Sequence, residues 1–341
     1  MTGRYELMFA ARPAGIVVPF LVLGDPALSA SLELALALAD AGADALELGI
    51  PFSDPVADGP VIQRAAARAL AAGGTPLRCL ELVAALRGRH PALPIGLLVY
   101  ANTVLRPGIG RFYGAAAGAG ADSVLVADVP SVEAAPFVAA ARAEGLHHVC
   151  VVPPDPSPNA IRHAAESGGG YTYLQGRPGV TGAAAPMHVP DSRVTLALRA
   201  AGAPSALVGF GVSRREHLES AVAGGAAGVI VGSAIVAEVE RTAAGNTSAP
   251  DAVVALLAKL RAPQPPTPDP NPSCCNFPAP CPLPPSAPPR PKAASTATAS
   301  SALSTSPRSP RRRAPPISPT RVPDPPSSGT TTFPWYPASA T

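Results

Sequence analysis

The chain has 341 residues, of which 47% are hydrophobic and 14% charged, and residues 263–341 hold 24 of its 45 prolines but one of its 31 glycines. Such a Pro/Ser/Ala-rich segment cannot bury a core, whereas residues 1–262 have the length and composition of one large domain, so we predict a single domain, 1–262, and a disordered tail, 263–341. The tail carries seven basic and two acidic residues, which leaves residues 1–262 with a net charge of about −2 and excludes a basic, nucleic-acid-binding domain.

Membrane and secretion signals are missing from the sequence as it stands. No run of about 18 apolar residues occurs, and residues 1–12 contain three charged side chains and no signal-peptide core. Cys79 and Cys150 are predicted to be buried thiols, and the three tail cysteines have no histidines at zinc-binding spacing. We expect a cytoplasmic protein without a metal site.

Short apolar runs alternate with longer Ala/Leu-rich segments along residues 16–262. The pattern predicts strands at 16–22, 44–49, 95–100, 123–127, 147–152, 171–174, 206–209 and 227–231. It predicts helices at 28–41, 60–72, 76–88, 109–118, 131–144, 157–167, 191–201, 214–223, 233–243 and 250–261. Eight strand–helix units in about 250 residues favour a (β/α)8 TIM barrel over a doubly wound sheet.

The second predicted strand carries an acidic residue on its inner face. Leu46 and Leu48 share one face and are expected to contact the helices, so Glu47 points into the barrel between Ala45 and Gly49. An apolar cavity raises the pKa of a carboxyl group, which suits a general acid/base near neutral pH. The alternative is a buried glutamate paired with an arginine for structural reasons.

Two further carboxylates follow in the loop after this strand, where barrel enzymes place their chemistry. Asp54 and Asp58 lie in a loop restricted by three prolines, and either one could reach the site. Both could instead cap the helix that begins near Pro60. The residue pattern leaves these alternatives open.

Glycines precede helices after the seventh and eighth strands, where barrels bind phosphate. Gly211, Gly232 and Ser233 are the candidate phosphate ligands, with Gly182 on the loop after the sixth strand as a further contributor. The alternative is that these glycines only form tight turns.

The residue inventory excludes two aldolase mechanisms. Lys259, in the last predicted helix, is the only lysine in residues 1–262, so no amine lies inside the barrel to form a Schiff base. The six histidines are scattered over helices and strand starts, which argues against a catalytic metal. We therefore expect cofactor-free acid/base chemistry by carboxylates on a phosphorylated substrate.

Several segments together resemble the tryptophan synthase alpha chain family. The most specific is Ala43–Gln63, ADALELGIPFSDPVADGPVIQ. The others follow in order over about residues 1–262: Pro19–Pro26, Gly96–Asn102, Asp122–Pro130, Gly170–Tyr173, Gly179–Gly182, Gly209–Gly211 and Gly232–Val236. The tail has no counterpart in the family.

The resemblance implies a TIM barrel that cleaves indole-3-glycerol phosphate to indole and glyceraldehyde 3-phosphate. It implies that Glu47 is the acid/base, that Asp58 stabilises positive charge on the indole nitrogen, and that Tyr173 lies near Glu47. Gly182, Gly211, Gly232 and Ser233 match the phosphate-binding positions of the family, and Phe20, Leu98, Leu125 and Phe210 match its indole pocket.

The resemblance also implies a partner, the beta chain of an α2β2 tetramer, which alone carries pyridoxal phosphate. The partner contact corresponds to Pro51, Phe52, Asp54 and Asn102. Arg177 and Thr181 match the mobile lid, but Gly176 and Pro178 flank the arginine and depart from the family pattern, which changes the expected freedom of the loop.

Two rival functions are compatible with the same residues. One is a stand-alone lyase that releases free indole, and the other is a weakly catalytic barrel that serves as an allosteric subunit of the beta chain. For the tail, the alternatives to a dispensable segment are an Arg/Pro-rich ligand around Arg311–Arg313 and an out-of-frame translation of a GC-rich gene.

Overall fold

A computed structural model describes residues 3–176, 191–243 and 248–261. These residues contain nine parallel strands, with a helix between successive strands except β5 and β6: β1 Ile16–Val22, β2 Leu46–Gly49, β3 Ile95–Val99, β4 Ser123–Val126, β5 His147–His148, β6 Cys150–Val152, β7 Thr172–Gln175, β8 Ala206–Gly209 and β9 Gly228–Val231. The α-helices are α1 Arg4–Ala11, α2 Leu28–Asp40, α3 Pro60–Ala71, α4 Pro76–Arg89, α5 Ala101–Leu105, α6 Ile109–Gly118, α7 Ala135–Ala143, α8 Pro158–Ser167, α9 Ser192–Ala200, α10 Arg215–Ala223, α11 Ser233–Ala243 and α12 Ala249–Arg261.

The sheet closes into a barrel through segment 147–152, which contains both β5 and β6. The strand order runs β5-β4-β3-β2-β1-β9-β8-β7-β6, so its two ends are β5 and β6, which are separated in sequence only by Val149. The Val149 amide donates to the carbonyl of Val124 on one side, and the carbonyl of His148 accepts from Gly169 on the other. The predicted strand 147–152 is therefore one broken strand, and the predicted (β/α)8 TIM barrel is confirmed.

Alternate residues of each strand divide the core into two layers. Val18 and Phe20 of β1 belong to a cluster inside the barrel, whereas Val17 and Leu21 belong to the larger cluster between barrel and helices. Both faces are buried, as expected for a parallel sheet that is covered by helices. Leu46 and Leu48 lie in the outer cluster, as the sequence predicted.

Two helices were not predicted. The short helix α5 replaces a predicted loop after β3, and α1 lies at the amino-terminal end of the barrel. The Tyr5 hydroxyl of α1 forms a 2.9 Å hydrogen bond with Ser123 Oγ at the start of β4. Arg4 donates to Asp122 at 2.7 Å. A segment of eight residues has little helical stability alone, so α1 depends on these tertiary contacts.

Other predicted helices and strands agree to within a few residues. The predicted helix 131–144 is divided into a 3-10 turn, Ser131–Glu133, and α7.

Cys79 and Cys150 are buried free thiols, as predicted. Within the described residues, no single helix is long and apolar enough to cross a membrane, although the bent pair α3 and α4 passes by length and composition. The predicted tail, 263–341, lies outside the described residues.

Candidate active site

Glu47 lies inside the barrel with its side chain almost completely buried. The residue is 2% exposed, and its Oε1 accepts a 2.5 Å hydrogen bond from the Tyr171 hydroxyl. Burial raises the pKa of Glu47 to about 7; the bond from Tyr171 opposes this rise and the charge of Asp58 adds to it. Among the described residues no arginine pairs with Glu47, so its setting fits a proton-transfer group better than a structural ion pair.

A glycine on the neighbouring strand makes room for the hydroxyl groups below Glu47. Gly96 of β3 is the register partner of Glu47. A Cβ atom at position 96 would lie 2.9 Å from Ser123 Oγ and 3.0 Å from the Tyr5 hydroxyl oxygen. A larger residue at this position would displace these two hydroxyl groups.

Tyr171 is a residue that the sequence analysis did not single out. The resemblance pointed to Tyr173, which is also buried in the barrel interior and whose ring packs edge-on against Phe210 at 5.7 Å. However, the tyrosine that bonds to Glu47 is Tyr171. The two tyrosines are two residues apart and therefore face the same side of the chain, a signal that could have identified both.

Asp58, rather than Asp54, is the carboxylate that is buried near Glu47. Asp58 is 7% exposed and accepts a 2.8 Å hydrogen bond from the Tyr100 hydroxyl, whereas Asp54 is exposed. The Tyr100 oxygen in turn accepts from the Ala57 amide at 3.2 Å, and the Tyr100 ring stacks on Phe52. Tyr100 was not predicted to be a site residue. It lies 42 residues from Asp58 in the sequence, and only the fold brings the two side chains into contact.

The capping alternative for these aspartates is not supported. The N-cap residue of α3 is Gly59, with Pro60 as the first helical residue. The buried side chain of Asp58 instead ties its loop to Tyr100 at the end of β3.

The predicted indole pocket residues come together in space. Phe20 and Leu125 are buried members of the interior cluster, and Leu98 and Phe210 pack against it. They lie on β1, β3, β4 and the loop after β8. The interior of the barrel around Glu47 therefore has an apolar wall suited to an aromatic ring.

The loops after β8 and β9 carry the predicted phosphate ligands. Phe210 and Gly211 both have left-handed backbone conformations, with φ angles of 69° and 84°. Ser233 is the buried first residue of α11, directly after Gly232, so the positive end of the helix dipole lies at this position. Gly182, the fourth predicted ligand, lies outside the described residues.

The structure describes the predicted partner-contact residues but not the predicted lid residues. Arg177 and Thr181 fall outside the described residues. Of the predicted partner residues, Pro51 is buried, Phe52 is half-buried, and Asp54 and Asn102 are exposed. All four lie after β2 or β3, at the carboxyl-terminal end of the barrel.

Polar side chains at other strand ends serve the fold. Asp25, after β1, forms hydrogen bonds of 2.7 and 2.9 Å with the Arg68 guanidinium. Asp128, after β4, accepts from the Ala101 amide at 2.7 Å. The described candidate site is thus confined to β1–β4, β7 and the loops after β2, β8 and β9.

Comparison with known proteins agrees with this geometry. The family model described as tryptophan synthase alpha chain matches residues 9–263. The tryptophan synthase alpha chain of Shewanella amazonensis is 52% identical over 241 residues, which are 70% of this chain and 91% of that protein. The solved alpha chain from Legionella pneumophila has a TM-score of 0.68 and 30% identity, covering 76% of this chain and 97% of its own.

A second solved structure is of the tryptophan synthase α2β2 complex from the hyperthermophile Pyrococcus furiosus. It has a TM-score of 0.66 and 33% identity and covers 72% of this chain and 98% of the matched one. The family match spans all nine strands and ends where the Pro-rich composition begins. This chain therefore belongs to the tryptophan synthase alpha chain family.

Proposed function

We propose that this chain is the alpha subunit of a tryptophan synthase and cleaves indole-3-glycerol phosphate to indole and glyceraldehyde 3-phosphate by a retro-aldol reaction. The observation that carries the proposal is Glu47, a carboxyl group inside the barrel whose pKa burial raises to about 7. Such a group is partly protonated near neutral pH, so it can both donate and accept a proton during one turnover.

Glu47 would move two protons in the cycle. Its carboxyl group first protonates the indole ring carbon that bears the glycerol chain, which places positive charge on the ring. The resulting carboxylate then accepts the proton of the neighbouring glycerol hydroxyl, the carbon–carbon bond breaks, and its electron pair returns to the ring. Indole and the aldehyde form, and Glu47 ends in the protonated state in which it began.

Asp58 and the apolar wall have separate roles in this proposal. The Asp58 carboxylate, held by Tyr100, offsets the positive charge that develops on the indole nitrogen. Phe20, Leu98, Leu125 and Phe210 enclose the ring and exclude water, which strengthens that interaction. Tyr173, whose ring packs edge-on against Phe210, would add to this apolar wall.

The substrate phosphate is assigned to the loops after β8 and β9. The amides of Gly211, Gly232 and Ser233, with the amino-terminal end of α11, provide donors and a positive dipole. Gly182, Arg177 and Thr181 complete this part of the proposal by family likeness alone. Binding the phosphate at the rim orients the indole ring toward Glu47.

We also propose that the chain works without a cofactor of its own. Lys259, the one lysine in the sequence of residues 1–262, is exposed on α12, whereas pyridoxal phosphate would need an amine inside the barrel. That cofactor would belong to the beta chain. The α2β2 complex of the Pyrococcus furiosus relative supports such a partner, and Phe52, Asp54 and Asn102 are the proposed contacts. Free buried thiols are consistent with a cytoplasmic location.

A turnover assay separates this proposal from its two rivals. The full chain is assayed for indole release from indole-3-glycerol phosphate, alone and with a beta chain. A conventional alpha subunit is slow alone and strongly activated by the partner. High turnover alone with no activation would show a stand-alone lyase, and no turnover in either case, with beta-chain activity still raised, would show an allosteric subunit.

A further inference from the structure

Three metal-ligating side chains meet outside the barrel, away from the catalytic residues. His148 of β5, Cys150 of β6 and His163 of α8 place one ligand atom each within 4.8 Å of one another. The two strand residues are two positions apart and face the helices, while Val149 between them faces the barrel interior. The histidines are scattered along the sequence, but the fold brings two of them together.

One of the three ligands has an unsatisfied polar atom. His148 is 8% exposed, and its buried Nδ1 atom has no hydrogen-bond partner among the described residues. A buried polar atom without a partner is uncommon in folded proteins and calls for an explanation, such as a bound ion.

The third ligand, His163, lies beside a surface pocket. His163 is half-buried and lines a surface pocket of about 390 Å³ between α7 and α8, which Arg142 and Ser167 also line. This pocket would be the side from which an ion and a water ligand approach His163.

We propose that His148, Cys150 and His163 form a site for a soft, tetrahedral transition-metal ion such as Zn²⁺, with water as the fourth ligand. One thiolate and two imidazoles are a ligand set that suits Zn²⁺ and its d¹⁰ relatives. Ligand atoms of a tetrahedral zinc site lie about 3.4–3.8 Å apart, so side-chain rotations that move these atoms about 1 Å closer would complete it. Coordination replaces the S–H bond of Cys150 by an S–metal bond, and the proton goes to solvent.

The location indicates what the metal would do. Cys150 and His148 lie on either side of Val149, which separates β5 from β6. The strand β5 pairs with β4, and β6 pairs with β7. A metal shared with His163 would join this break to α8 and strengthen the closure of the barrel. Ions that bind only the folded state raise the melting temperature by mass action.

Arg142 supplies a charge test of the proposal. Its guanidinium donates to the carbonyl of Glu166 at 2.7 Å, one turn from His163, and Arg142 and His163 line the same pocket. A fixed positive charge opposes a bound cation. Arg142→Gln should therefore bind the metal several-fold more tightly, whereas a site elsewhere in the chain would be indifferent to this change.

The experiment uses the full chain, freed of metal by a chelator and titrated with Co²⁺. We expect one cobalt ion per chain, with intense visible bands of a tetrahedral ion and a thiolate-to-cobalt charge-transfer band, both abolished by added Zn²⁺. Cys150→Ser should lose the charge-transfer band, and both Cys150→Ser and His163→Gln should lose at least tenfold in affinity. Cys79→Ser, the other buried thiol, is the matched control and should leave the spectrum unchanged.

The tail cysteines Cys274, Cys275 and Cys281 are replaced by serine together as a second control. The proposal is overturned if wild type gives no tetrahedral spectrum, if the spectrum survives Cys150→Ser, or if the tail variant abolishes it. Should Cys150→Ser fail to fold by circular dichroism, the half-exposed His163→Gln variant decides: an unchanged spectrum and affinity would refute the site.

Discussion

Replacing Glu47 by glutamine tests the acid/base assignment and the burial of its charge together. The amide keeps the size of the side chain and an oxygen that can accept from Tyr171, but it cannot be ionised or exchange the two protons. General acid/base groups contribute about 10²- to 10⁴-fold in rate, so turnover should fall by at least 100-fold. Retention of a tenth of wild-type turnover would refute the assignment.

The same variant has a calculable effect on stability. Burial raises the pKa of Glu47 from 4.5 to about 7, so the folded state resists ionisation. The stability associated with the protonated form is fully present below pH 4.5 and is lost as the pH rises to about 7. A pKa shift of this size lowers the free energy of unfolding of wild type by about 3 kcal/mol between low pH and pH 8. Glutamine does not ionise, so the Glu47→Gln variant does not lose this stability.

Urea unfolding of both proteins between pH 5 and pH 8 measures this effect. The free energy of unfolding of Glu47→Gln, relative to wild type, should rise by about 2 to 3 kcal/mol over that range, because any pH-independent cost of the amide cancels. A change below about 0.5 kcal/mol would show that the carboxyl group is not desolvated as the structure indicates.

The pH dependence of kcat/KM gives a second check with matched controls. Because the cycle begins with protonated Glu47, kcat/KM should fall as the pH rises through about 7. Tyr171→Phe removes a bond that lowers the pKa of Glu47 and should move the fall to higher pH, whereas Asp58→Asn removes a charge that raises it and should move the fall to lower pH. Shifts in the opposite directions would contradict the assignment.

Three further predictions concern the rest of the chain. Asp58→Asn should lower turnover about 100-fold without the partner, while exposed Asp54→Asn should act mainly on activation by the beta chain; the reverse ranking would exchange their roles. Glycerol phosphate should raise the melting temperature of wild type but not of Ser233→Asp, where the new carboxylate repels the ligand; stabilisation of both would place the phosphate elsewhere. Truncation after Arg261 should leave turnover and melting temperature unchanged, since residues 263–341 have too few apolar side chains to offset the entropy of ordering; a marked loss of either would show that the tail matters.

The sequence by itself determined the barrel and the direction of Glu47. Both follow from local patterns: strand and helix periods repeat within a few residues, and alternation along β2 assigns Glu47 and its leucine neighbours to opposite faces whatever the rest of the chain does. The glycine–helix junctions after β8 and β9 are equally local, so the sequence alone is enough to propose Gly211, Gly232 and Ser233 as phosphate ligands.

Only the tertiary structure decided which side chains meet. Tyr171 lies 124 residues from Glu47, and Asp58 was distinguished from Asp54 by a bond from Tyr100. Such contacts depend on strand register and barrel closure, and a one-residue change in register would turn each side chain to the other face. The same closure, at the break beside His148, assembled the proposed metal site from residues that look unrelated along the chain.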